Sequence, residues 1–255
     1  MFDCNPTTTP IDVNQKLSTS MCPKNQKEIK EMSQVPYMPA VGCLLFASQV
    51  SRPDITYAVN MLSRFSKNPG KAHWEAAKRV MRYLKGTLDS QLVYRADLKE
   101  SNIKGYCDAD WAGNIDDRQS TTGYVFLHQS AAVSWATKKQ KTVALSSTEV
   151  EFMSLTAAIQ ESVYLKKLKM ELNPKIEEAM KIFCDNKGAI QVALNNNYSN
   201  RTKHVDIKAK FIRQKIDEEE VTLKYIPTNE MLADVFTKAV SSQKLQYLRN
   251  KFGLL

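Results

Sequence analysis

Four carboxylates stand at positions where phosphate chemistry could use them. Asp108 follows a predicted strand over Ile103–Cys107, in Tyr-Cys-Asp-Ala-Asp-Trp. Glu151 falls at the start of a long predicted helix, in Ser-Ser-Thr-Glu-Val-Glu-Phe. Asp185 follows a brief apolar strand, Ile182–Cys184, and Asp234 lies in the first turn of a helix expected after the last strand. Ligand sites in open α/β sheets form at the carboxyl ends of strands. If the first and fourth strands are parallel neighbours, Asp108 and Asp185 end side by side. Carboxylates held together repel one another, and hard divalent cations relieve that cost. Such a set suits two-metal phosphodiester hydrolysis, in which one ion helps generate the attacking hydroxide and the other steadies the leaving oxygen. Each acid alone also fits a plainer role. Asp favours turns and helix N-termini. Glu151 could close a capping box with Thr148, although Ser146 and Glu149 offer the same box and leave Glu151 free.

The elements that must position these acids can be read from periodicity. Residues 1–36 are polar, rich in Thr, Lys and Pro, and read as a tail or linker. Helices are expected over Pro39–Val50, after Ser51-Arg52-Pro53-Asp54, and after Asn68-Pro69-Gly70, where Trp74, Ala77, Met81 and Leu84 share a face. Short strands are expected at Ile103–Cys107, Gly123–His128 and Ala132–Thr137. A helix over Ser147–Leu172 carries the apolar stripe Phe152, Leu155, Ile159 and Val163. Then come the strand at Ile182, a helix through Ile190 and Leu194, a basic helix over Val205–Ile216, and a strand over Val221–Ile226. Two short helices, around Met231–Thr237 and Gln243–Lys251, close the chain. This order predicts an α/β protein with a mixed sheet flanked by helices, preceded by a small helical segment.

Composition narrows the partners. The chain has 255 residues, is 43% hydrophobic and 25% charged, and carries a formal charge of +9, which suits a polyanion such as nucleic acid or an anionic surface. Cys4, Cys22, Cys43, Cys107 and Cys184 are scattered without a C-x-x-C pair, a pattern of reduced thiols rather than a disulfide framework or zinc site. No apolar run approaches the ~20 residues of a membrane span, and no signal peptide is evident. The expectation is a soluble, intracellular protein with no membrane partner.

A long ordered set of motifs resembles the end of the Pol polyprotein of copia-type LTR retrotransposons: RPDITYAVNMLSRF, HWEAAKRVMRYLKGT, GYCDADWAG, RQSTTGYVF, SWATKKQKTVALSSTEVEF, CDNKGAI, RTKHVDIKAKFIR and IPTNEMLADVFTK. The resemblance implies an RNase H-like domain with a mixed five-stranded sheet over residues 96–240. Residues 37–95 would be the helical C-terminal part of a reverse transcriptase, and 241–255 a terminal helix or tail. It implies Asp108, Glu151, Asp185 and Asp234 as catalytic and metal-binding acids, two Mg²⁺ or Mn²⁺ ions, and hydrolysis of RNA in an RNA–DNA hybrid. The upstream polymerase portion of Pol becomes a partner, and a cytoplasmic virus-like particle or the nucleus the location. Asp110 and Glu149 flank two of the acids and are read as supporting or capping residues. No Tyr-x-Asp-Asp motif occurs, so DNA synthesis is not expected of this chain. No histidine occurs in Pro227–Ala233, where many cellular RNases H carry one. The alternatives are a truncated, non-catalytic nucleic-acid-binding remnant and another nuclease of the same fold.

Basic clusters supply candidate backbone contacts. Lys71, Lys78, Arg82 and Lys85 recur at helical spacing and could track phosphates or form a solvated helix face. Lys138, Lys139 and Lys141 lie between the third strand and the long helix, and Arg201, Lys203, Lys208, Lys210 and Arg213 surround the later helix. His204 suits either a structural role at a helix start or substrate contact. Trp111, beside the first acid, could pack beneath it or face substrate.

Overall fold

The apolar alternation of the middle strands produces a sheet covered on both faces. In this computed structural model, which describes residues 3–95, 102–172, 178–195 and 203–255, five strands form one mixed sheet in the order β3-β2-β1-β4-β5. They are β1 (Lys104–Asp110), β2 (Thr121–His128), β3 (Ala131–Lys139), β4 (Met180–Cys184) and β5 (Val221–Tyr225). The first three are antiparallel, whereas β4 and β5 run parallel to β1. Along β2, Tyr124 and Phe126 face one core while Val125 and Leu127 face the other, as the two-residue period of a strand requires. The mixed sheet is the expected one, and β1 extends three residues beyond the predicted strand, so Asp108 lies within it.

One face is covered by α5 (Ser147–Leu172), α6 (Lys187–Leu194) and α7 (Lys203–Asp217). Phe152, Leu155 and Ile159 of α5 are buried there with Cys107, Ile182 and Cys184. The other face is covered by α2 (Tyr37–Val50), α3 (Thr56–Ser63), α4 (Lys71–Lys85), a 3₁₀ turn at Leu232–Phe236 and α8 (Ser242–Lys251). The helix expected around Met231–Thr237 is thus a short 3₁₀ turn.

The polar N-terminal segment is not a loose tail in its described part. It contains a short α1 (Gln26–Ser33) and buries Ile11 and Leu17 in the core shared by α2–α4 and the sheet. Its polar groups bond to α4: Arg79 donates to Thr9 O (3.3 Å) and to Thr9 Oγ1 (3.0 Å), and His73 Nε2 meets Ser18 O at 3.2 Å. Composition mistakes this segment for a tail because its Ser and Thr groups are spent on specific bonds rather than on solvent.

The Arg52-Pro53-Asp54 turn locks the helical layer. Asp54 is buried and accepts from Arg52 Nε (2.9 Å) and Nη2 (2.7 Å), and from the Tyr83 hydroxyl (2.5 Å). The Asp54 and Arg52 side chains are almost fully shielded from water, so removing one partner strands a buried charge. Asp54→Ala is expected to cost about 3–5 kcal/mol, which lowers Tm by on the order of 10 °C. Thermal unfolding followed by circular dichroism measures this, and a drop of under about 2 °C would contradict it.

Candidate active site

Asp108 is carried by the central strand, where neighbouring groups on both faces surround it. Its main-chain carbonyl accepts from Ser154 Oγ of α5 at 2.6 Å, fixing strand to helix. Its carboxylate accepts from the Thr237 hydroxyl, just past the Leu232–Phe236 turn. Gly123 of β2, paired with Asp108, permits that turn to approach: a Cβ at 123 would lie 2.7 Å from Phe236 Cβ and from Thr237 Cγ2. Since β1 and β4 are parallel with Cys107 opposite Cys184, Asp108 and Asp185 follow paired residues.

The acids form two groups around this strand. In the first, Glu151, Cys184 and Asp185 bring one ligand atom each within 4.8 Å of one another. In the second, Lys238 bridges two carboxylates, its Nζ lying 2.7 Å from Asp234 Oδ1 and 3.4 Å from Asp108 Oδ2. Lys244 pairs with the other oxygen of Asp234. Asp234 is fully buried, so the two lysines compensate a charge that water cannot reach. At Lys238, burial pulls the pKa down, but Asp108 and Asp234 outweigh it and hold the ammonium charged.

Electrostatics join the groups. Burial first, and then the nearby Asp234 and Asp185, push Asp108 up to about 6 against the pull of Lys238 and Thr237. Burial, with Asp108, Cys184 and Asp185, pushes Glu151 up to about 10. Glu151 Oε2 is buried and has no hydrogen-bond partner. A buried, unpartnered carboxylate oxygen facing other acids is costly, and a divalent cation among these oxygens removes that cost. The residues therefore fit such an ion. Ser146 and Glu149 cap α5: Glu149 N–H donates to Ser146 Oγ at 3.2 Å, and its carboxylate accepts from Leu145 N–H at 2.9 Å. Glu151 is left without a capping role, as the second of the two possible boxes requires. Asp110 lies at the end of β1, its own pKa raised by burial against Lys238 and Lys16.

Lys238, Lys244, Thr237 and Cys184 were not singled out from the sequence. The signal for Lys238 was its position four residues after Asp234, and for Cys184 its place beside Asp185. The basic candidates disperse. In β3, Lys138 lies 5.7 Å above the Tyr124 ring, and Lys139 pairs with Asp117; Lys141 is exposed. On α4, Lys71 is exposed and Lys78 pairs with Glu75 at 2.7 Å. Arg82 and Lys85 donate to the carbonyls of Asn5 (2.6 Å) and Cys4 (2.9 Å), so the N-terminal segment takes up two of the four cations that the spacing offers to phosphate. Lys208 donates to Met153 Sδ at 2.7 Å, and Lys210 pairs with Asp206 at 3.1 Å. Lys203 and His204 open α7; Arg201 lies outside the described residues. Trp111 is about half exposed, 52%, with its Nε1 donating to Ala144 O at 3.2 Å.

Two outcomes follow from the acids. Asp108 and Glu151 both have folded pKa values above their unfolded ones, so the folded chain holds more protons between about 3.8 and 6 and between about 4.5 and 10. Their stabilising effect is complete below the unfolded values and is lost as pH rises through those windows, at most about 1.4 kcal/mol per unit for each group. Tm in EDTA is expected to fall from about pH 5 to about pH 8, and saturating Mg²⁺ should remove the fall. A flat or rising profile in EDTA counts against the arrangement. Lys238→Met strips the cation from between Asp108 and Asp234. Calorimetry should give a lower Tm in EDTA and a larger Tm gain on adding Mg²⁺ than in the wild type.

No family model matches the chain. Over 254 residues it is 42% identical to the retrovirus-related Pol polyprotein from transposon TNT 1-94 of Nicotiana tabacum, covering 100% of this chain and 19% of that polyprotein. Over 257 residues it is 35% identical to the retrovirus-related Pol polyprotein from transposon RE1 of Arabidopsis thaliana, covering 100% of this chain and 17% of that protein. Among solved structures it is similar to the N-terminal RNase H domain of rv2228c from Mycobacterium tuberculosis, with 9% identity and a TM-score of 0.38 over 58% of this chain and 96% of that one. The chain spans about a fifth of the length of the curated relatives it matches. With similarity running along its whole length, it belongs to the retrovirus-related Pol polyproteins of copia-type transposons.

Proposed function

We propose that this chain hydrolyses the RNA strand of RNA–DNA hybrids, leaving 5′-phosphate and 3′-hydroxyl ends, as part of a retrotransposon Pol polyprotein. The observation that carries the reading is the convergence of Asp108, Glu151, Asp185 and Asp234 on one end of β1 and β4, with a buried Glu151 oxygen lacking any partner. Asp108, Glu151, Asp185 and Asp234 would hold two Mg²⁺ or Mn²⁺ ions, which when bound supply Lewis acidity to the phosphate and an activated water. The chain's own residues set up that chemistry. Ser154 and Thr237 hold Asp108, and the Ser146–Glu149 cap keeps α5 in register so that Glu151 points inward. Lys238 balances Asp108 and Asp234. Lys138, Lys139 and Lys141 are the candidate contacts to the hybrid backbone, which is read by shape and 2′-hydroxyls rather than base sequence. On this reading α2–α4 are the end of a reverse transcriptase, and the polymerase part of the polyprotein is their partner.

One observation favours a second reading, in which the chain binds hybrid but cuts nothing. Lys238 already neutralises Asp108 and Asp234, and an ammonium that stays there competes with a metal ion.

An end-labelled RNA–DNA hybrid with Mg²⁺, run beside duplex DNA, duplex RNA and the Asp108→Asn protein, separates the two. The nuclease cuts the hybrid alone, and Asp108→Asn reduces cutting to background. Asp185→Asn should likewise be inactive yet folded, because it removes a charge from a repelling set. Hybrid affinity without cleavage in either Mg²⁺ or Mn²⁺ establishes the second reading, and full activity in Asp185→Asn overturns the assignment of the site.

A further inference from the structure

Beside the acids opens a second cleft that the four-carboxylate chemistry does not use. Its volume is about 400 Å³, room for roughly one nucleotide. Four regions distant in sequence build it: the N-terminal segment around Lys16, α3 through Tyr57, the loop after β1 through Trp111, Asn114 and Arg118, and the segment of Lys238 and Ala239. Asp110 and Lys238 line its inner end, so it opens onto the candidate site.

Its construction is specific. The loop is tied to the N-terminal segment by Asp116, which accepts from Ser18 Oγ at 2.6 Å and from Thr19 N–H at 2.9 Å. Ala112 and Arg118 take left-handed backbone conformations (φ 53° and 57°), and Ser120 Oγ accepts from Ala112 N–H at 3.0 Å. The nearby acids are engaged, Asp116 with that segment and Asp117 with Lys139. With Lys238 engaged by Asp108 and Asp234, Lys16 and Arg118 share the cleft with a single carboxylate, Asp110, which still leaves an excess of positive charge. Trp111 adds an aromatic surface about half open to solvent, its indole anchored through Nε1.

Cations along a groove combined with an open aromatic ring are the features that hold a phosphodiester strand, the cations by its phosphates and the ring by base stacking. We propose that this cleft is a nucleic-acid subsite, in which Lys16 and Arg118 contact phosphates of a strand running from the candidate site toward the helical layer and Trp111 stacks on a base. The proposal rests on the hybrid-nuclease reading for its substrate, and it makes the N-terminal segment part of the binding surface.

The test is binding of a fluorescein-labelled RNA–DNA hybrid in EDTA, where no strand is cut, across a salt series and beside labelled single-stranded DNA. Lys16→Gln/Arg118→Gln should weaken binding about tenfold or more, and lower the slope of log affinity against log salt by about 1.8, since each lost phosphate contact contributes about 0.9. Trp111→Phe keeps a stacking ring and should abolish the change in tryptophan emission on binding. Both sites are exposed, and an unchanged Tm verifies folding; the single Lys16→Gln variant, with an expected slope loss of about 0.9, serves if the double variant does not fold. Affinity and slope equal to wild type overturn the cleft, as does a wild-type chain that binds neither probe. Cleavage by the wild type is read separately: a variant unaltered in binding beside an active wild type overturns the cleft alone. A salt-dependent affinity that the variant loses, in a chain that cuts nothing, keeps the cleft and overturns the nuclease.

Discussion

Repulsion among carboxylates at the centre of the sheet is the constraint to which the surrounding structure answers. Asp108, Glu151 and Asp234 are buried, where a carboxylate's charge is costly. The protein offsets part of the cost with Lys238, Lys244 and Thr237. It leaves another part open, at the unpartnered oxygen of Glu151. A buried ion pair is weak evidence for stability, because desolvation can exceed the Coulomb gain. On the proposed reading, a site left electrostatically incomplete in this way suits a cation. Gly123 serves the same end, since a side chain there would drive the turn carrying Asp234 off the strand carrying Asp108.

Much of this was legible in the sequence, for identifiable reasons. The strands around Asp108 and Asp185 are short, apolar and well punctuated; their parallel adjacency, a condition in the sequence, is met in the sheet, where α5 returns the chain from β3 to β4 beside β1. The choice between capping boxes at α5 could be foreseen as open, and the Ser146–Glu149 pair takes the capping role. What could not be read depends on contacts far apart in sequence. Lys238 becomes informative only once the turn at Leu232–Phe236 lies against β1 and β2. The basic face of α4 looked free because nothing local signals that the carbonyls of residues 4 and 5 reach Arg82 and Lys85. The packing of residues 3–36 was hidden for a related reason: Ile11 and Leu17 are buried in the core and Cys22 and Val35 pack against it, too few and too irregularly spaced to make a periodic pattern.

The helical layer and the sheet are not separate hydrophobic units. One core includes Tyr37, Val59 and Tyr83 of the helices together with Val125, Leu127, Phe236 and Phe252. Residues 91–93 hydrogen-bond to residues 253–255, and Ala132 N–H donates to Phe252 O at 3.0 Å. This strap lies along the outer strand β3 and covers part of an edge that would otherwise invite pairing with another chain.

The strap also bears on the order in which the chain can fold as it is made. Domains ordinarily fold N-terminal first during synthesis, but here the helical layer lacks Leu245, Leu248, Phe252 and Leu254 until the last of these has been added. Pairing between segments about 160 residues apart closes a long loop, which slows folding. Until synthesis has passed Leu254, the helical layer keeps open the apolar face that Leu245, Leu248, Phe252 and Leu254 cover in the finished fold.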